Sequence, residues 1–170
     1  MVRIRSKIKV VCDSGPIIHL DELECLYLLR DFDKVLVPDG VRREVLKYRT
    51  IDFENVGEVV SITHAVEEPL RTMCKVFSLA VGEAEALSVL NKEPGLTFLT
   101  DDAAARLVAT RLEIRVHGTI GVLIRAIRRD LMKPKEVLDI LNRIPSKSSL
   151  YIKPSLLKEV ILSIKKEFDI

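Results

Sequence analysis

LTFLTDDAAAR, running from Leu96 to Arg106, reads as a buried strand that stops at two carboxylates and turns into a helix. The apolar residues Leu96, Phe98 and Leu99 supply the strand, Asp101 and Asp102 end it, and an alanine-rich segment follows. Acids therefore sit at the carboxyl end of a strand, the edge at which open parallel α/β sheets bind ligands. The same pattern occurs near the start of the chain. There Ile8, Val10, Val11 and Cys12 lead to Asp13, and Ser14-Gly15-Pro16 opens a helix, proline being tolerated in the first turn.

Working outward, strands are expected over residues 7–12, 35–37, 59–63, 96–100 and 114–116. The first helix is expected to run to about Asp31 on the stripe Ile17, Leu20, Leu23, Leu26 and Leu29. A second starts at Asp39 as N-cap, with Val41, Val45 and Leu46 facing inward. Others follow over 67–78, from Gly82 to about Lys92, over 102–112 and from Thr119, whose Ile120, Leu123, Ile124 and Ile127 face inward; two more span 134–143 and 154–168. Residues 50–58 show no pattern. Strands alternating with helices call for a parallel sheet with right-handed crossovers.

The chain has 170 residues, 48% apolar and 31% charged, which suits one globular domain with a sizeable core. No apolar run is long enough to cross a bilayer and MVRIRSKIK lacks the apolar middle of a secretory signal, so a cytoplasmic location is expected. Three scattered cysteines offer neither a disulfide framework nor a CxxC knuckle. The net charge of +2 announces no nucleic-acid binder by itself. Basic groups at Arg3, Arg5, Lys7 and Lys9, at Arg42, Arg43, Lys47 and Arg49, and at Arg125, Arg128, Arg129 and Lys133 could neutralise phosphates or simply be solvated faces. His19, His64 and His117 lack metal-ligand spacing, and neither a GxSxG elbow nor a Walker loop is present.

Singly, the acids have plain explanations: Asp13, Asp102 and Glu83 lie at or near helix starts, and Glu44 suits an exposed helix face. Their joint occurrence changes the weighing, since neighbouring first and fourth strands would place Asp13 and Asp101/Asp102 across one crevice. The motifs VCDSGPIIHL, VPDGVRREVL, VGEAEALSVL, FLTDDAAARLVA and VHGTIGVL resemble those of PIN-domain proteins, close to the branch related to VapC-type toxin ribonucleases, over roughly residues 8–130. The resemblance implies a three-layer α/β/α fold around a parallel sheet of about five strands in order 3-2-1-4-5. One domain is expected over 1–170, with a core at about 7–130 and a C-terminal helical extension at about 131–170.

The resemblance also implies a metal-dependent endoribonuclease site using Mg²⁺ or Mn²⁺. Asp13, Glu44, Glu83 and Asp102 match the family's acids, with Asp101 as an alternative metal ligand to Asp102, and Glu85 to Glu83. Ser14, Thr100 and Thr119 are supporting residues, Thr119 as a helix cap or phosphate contact. RNA is the implied substrate, an antitoxin protein and a second copy of the chain the implied partners. The rival expectation is a non-catalytic RNA-binding or protein-interaction module on the same fold. Physically, four carboxylates about 5 Å apart cost about 3 kcal/mol per pair at an effective dielectric near 20. Protons, separation or a hard divalent cation must offset that repulsion.

Overall fold

The computed structural model describes residues 8–61 and 66–170. Arg3, Arg5, Lys7, His64 and the end of the expected third strand lie outside the described residues. Five strands, β1 (Lys9–Cys12), β2 (Lys34–Pro38), β3 (Glu58–Val60), β4 (Thr97–Leu99) and β5 (Arg115–His117), form one all-parallel sheet in the order β3-β2-β1-β4-β5. The central strands read as unbroken apolar runs because both faces are covered. Val10, Cys12, Val35, Val37 and Leu99 point into one apolar layer; Val11, Leu36 and Phe98 point into the other.

The first layer receives α1 (Ser14–Glu22), α2 (Asp39–Leu46) and the last three helices of the chain. The second receives α3 (Leu70–Val76), α4 (Val81–Lys92) and α5 (Ala103–Arg111). The last three helices are α6 (Thr119–Arg128), α7 (Pro134–Lys147) and α8 (Pro154–Glu167). Val137, Leu141 and Ile144 of α7 and Leu157 and Ile164 of α8 are buried in the same cluster as β1, so these helices dock on the sheet's own core. Leu156 and Leu162 remain about half exposed, at 50% and 55%. Among the described residues no helix is long and apolar enough to cross a membrane.

Several boundaries differ from the sequence reading. The first helix ends at Glu22, Glu24 adopts a left-handed φ of 58°, and Leu26–Asp31 form a 3₁₀ helix. The stripe Ile17, Leu20, Leu23, Leu26, Leu29 has a period of three, which drifts around an α-helix but stays in line on a 3₁₀ helix. Pro38, not Asp39, is the N-cap of α2, and Asp39 instead pairs with Arg43 one turn on. The unpatterned segment holds a short 3₁₀ turn, Phe53–Asn55, capped by Asp52. The helix expected over 67–78 is shorter, Leu70–Val76. Helix α7 runs on through Pro145, where only one bond of its last turn is lost.

Candidate functional site

The β1/β4 register, Cys12 beside Leu99, sets Asp13 next to Thr100 at the carboxyl end of the sheet. The Asp13 N–H donates to Leu99 O at 2.9 Å, so the ladder continues into the site. Asp13 is 2% exposed. Its Oδ1 accepts from Ser14 N at 2.7 Å, capping α1, and its Oδ2 accepts from the Thr100 hydroxyl at 2.7 Å. That same hydroxyl accepts from Asp102 N at 3.2 Å. Thr100 thus ties Asp13 to the residue that caps α5, where Asp102 Oδ1 accepts from Ala105 N at 2.7 Å.

The two candidates at the end of β4 part company. The Asp101 side chain turns toward α1 and α6: Oδ1 accepts from Thr119 N at 2.8 Å, while Oδ2 accepts from Thr119 Oγ1 at 2.5 Å and from His19 Nδ1 at 2.8 Å. A carboxylate can only accept, which puts a proton on His19 Nδ1. Burial pulls the Asp101 carboxyl up, yet the hydrogen bonds from His19 and Thr119 together hold it below the usual carboxylate range. Asp101 therefore caps α6 from another strand. Gly118 makes this possible, since a Cβ there would lie 2.5 Å from Asp101 Oδ1. Its backbone is extended, so space rather than turn geometry explains the glycine. The fully buried Thr119 spends its hydroxyl on Asp101 and offers none to a phosphate.

A similar division holds in α4. Glu85 Oε2 accepts from Gly40 N at 2.7 Å, capping the start of α2, and a Cβ on Gly40 would lie 2.5 Å from that oxygen. Glu83 Oε2 reaches back to Ala80 N at 2.7 Å, and its other oxygen has no hydrogen-bond donor among the described residues. Close contact between Gly82 and Val41 brings α4 onto α2, one turn before Glu44.

Charge links the same four acids. Burial first, then the charges of Glu44 and Asp102, push Asp13 up to about 6, against the pull of the Thr100 and Ser14 hydrogen bonds. Burial first, then Asp13, Asp102 and Glu44, push Glu83 up to about 7, against the Ala80 hydrogen bond. Neither Asp101 nor Glu85 contributes to either shift. Asp13, Glu44, Glu83 and Asp102 thus share one field, while Asp101 and Glu85 serve as caps.

Among the described residues no three His, Cys, Asp or Glu side chains form a ready-made metal cage. The donors present nevertheless suit a hard cation that binds one or two carboxylates and keeps most of its water. They are oxygen-only and partly uncommitted, and burial first, then the neighbouring acids, pushes Asp13 and Glu83 up.

His19 and Arg106 were not singled out from sequence as site residues. His19 steadies Asp101, and Arg106 Nη1 donates to Thr100 O at 2.9 Å. Spacing gave one signal: Gly15 and His19 are four apart on α1 and so share a face, and a Cβ on Gly15 would lie 3.6 Å from both Asp101 Oδ2 and His19 Cε1. A family model described as a PIN domain matches residues 9–166. No curated protein matches the chain.

Proposed function

The chain belongs to the PIN-domain family, and on that premise we propose that it is an endoribonuclease that hydrolyses RNA phosphodiester bonds with Mg²⁺ or Mn²⁺. The observation that carries the reading is the coupled acid group: burial and mutual repulsion hold Asp13 at about 6 and Glu83 at about 7. Perturbed carboxyls gathered at the carboxyl end of a parallel sheet are a mark of a working site.

Asp13 and Asp102 would hold the cation, with Glu44 and Glu83 completing the negative field. When bound, the cation would acidify a water molecule and neutralise the phosphate's non-bridging oxygens. Thr100 fixes the Asp13 carboxylate against rotation and joins it to the Asp102 backbone. Ser14 N holds the other Asp13 oxygen. Glu83 can take up or release a proton near neutral pH at the oxygen not bound to Ala80. The Asp101 clamp ties the loop between β4 and α5, which carries Asp102, to α1 and α6.

A second reading is a PIN-fold RNA-binding or protein-interaction module without catalysis, favoured by the helix caps that Asp13 and Asp102 already supply to α1 and α5. One assay separates the two. Wild type is expected to cleave single-stranded RNA when Mn²⁺ is supplied, leaving 5′-phosphates, and Asp13→Asn is expected to lose at least about 100-fold in rate. The asparagine oxygen can still cap Ser14, so the variant is expected to fold, which its unfolding temperature checks. Equal cleavage by both proteins rejects the assignment, and no cleavage by either favours the binding module. A toxin acting with an antitoxin is the narrower form of the first reading, tested by whether a partner peptide blocks cleavage.

A further inference from the structure

We propose that the groove between edge strand β5 and helix α6 is a second nucleic-acid contact, a track for the phosphate backbone of single-stranded RNA separate from the acids. The groove's charge stands on its own; naming RNA as its occupant rests on the ribonuclease reading above.

The cavity is about 380 Å³. Arg115 and His117, two apart on β5, face it from one wall. Arg125, Arg128 and Arg129 of α6 and its end face it from the other. Four guanidinium groups thus line one groove; among the described residues Asp31 pairs with Arg125 and Arg129, and Glu167 with Arg128. Arg115 is exposed, and its side chain has no ion-pair partner among the described residues. Arg125 lies 4.9 Å over the Phe32 ring, and its Nε is buried with no hydrogen-bond partner among the described residues. Burial first, then Arg106, Arg125 and Arg115, hold His117 below its ordinary range, consistent with a positive field at that mouth.

The arrangement suits a strand better than a small anion. Arg125 and the Arg128/Arg129 pair stand one helical turn apart, about 5.4 Å, so the charges form a row along the groove. One end begins at His117, whose carbonyl accepts from Thr100 N at 2.9 Å, next to the strand end that carries Asp101 and Asp102. The other end reaches Ile8 and Phe32, just before the amino ends of β1 and β2. An RNA strand engaged at the acids could therefore continue down this row.

The test is anisotropy binding of a labelled oligouridylate in EDTA over a range of salt, so that cleavage plays no part. Arg115→Gln combined with Arg128→Gln is expected to weaken binding about tenfold and to lower the salt slope by about 1 to 2. The matching double lysine variant is expected to keep the slope. Arg115→Gln alone, which breaks no ion pair, carries the same test with a loss of about threefold. Binding is read without cation and without cleavage, so a failed cleavage assay leaves this result readable. Wild-type affinity at every salt concentration for both glutamine variants overturns the proposal. So does displacement of the RNA by uridine monophosphate at matching concentration, which would make the groove a mononucleotide pocket.

Discussion

Replacing Asp101 and Asp102 one at a time separates support from chemistry. Asp101 has three hydrogen-bond donors at its carboxylate, all on α1 or α6. Asp101→Ala strands those donors and is expected to cost about 3 kcal/mol of stability. Asp102→Asn keeps its cap on Ala105 and is expected to cost less than about 1 kcal/mol while reducing cleavage at least about 100-fold. Chemical denaturation beside the RNA assay reads both, and the reverse pattern would exchange the two roles. Thr100→Val removes the hydrogen bond that pulls the Asp13 carboxyl down, so the acidic limb of the rate profile is expected to move to higher pH. The sequence announced the Asp-Asp pair but not the division of labour between its members. That division depends on the start of α6, which arrives from residues 118 and 119 and leaves no trace in local spacing.

Among the elements, cross-capping does more than periodicity reveals. Helix α6 begins at a glycine with no side chain to offer, and its N-terminal donor is met by Asp101 from β4; helix α2 is met in the same way by Glu85 of α4. Such caps fix helix positions relative to strands, which is how Glu44 and Glu83 come within electrostatic reach of Asp13. Gly118→Ala pushes a methyl group into Asp101 and is expected to cost about 1–3 kcal/mol. In an Asp101→Ala background the cost is expected to shrink, a coupling that a double-mutant cycle of unfolding free energies would measure. Full additivity would mean that the clamp is not what the glycine serves. The strand runs around Val10, Leu36 and Phe98 were readable because both faces are apolar. The end of α1 was harder, since a leucine every third residue satisfies a helical count while the chain switches from α to 3₁₀ at Glu24.

For the molecule as a whole, the acid group makes stability depend on pH. A carboxyl whose folded pKa lies above its unfolded value binds its proton more tightly when folded. Its stabilising effect is complete below the unfolded pKa and disappears as pH rises through the folded one. For Asp13 that window runs from about 4 to about 6, and for Glu83 to about 7. Asp13 alone, moved from 3.8 to about 6, corresponds to about 3 kcal/mol. Sheet order was legible through the family resemblance, because alternating strands and helices are compatible with more than one winding. The docking of α7 and α8 on the shared core was open in the sequence, where the same leucines and isoleucines would equally have suited a contact with a second copy. The central claim is that Asp13, Glu44, Glu83 and Asp102 form one negative pocket for a divalent cation. Its most direct test is the shift in unfolding temperature produced by Mn²⁺ between pH 5 and pH 8, in wild type and in Asp13→Asn. The account predicts a shift in wild type that grows with pH as Asp13 and Glu83 ionise, and little or none in the variant. A shift that is absent, independent of pH, or unchanged by Asp13→Asn would contradict it.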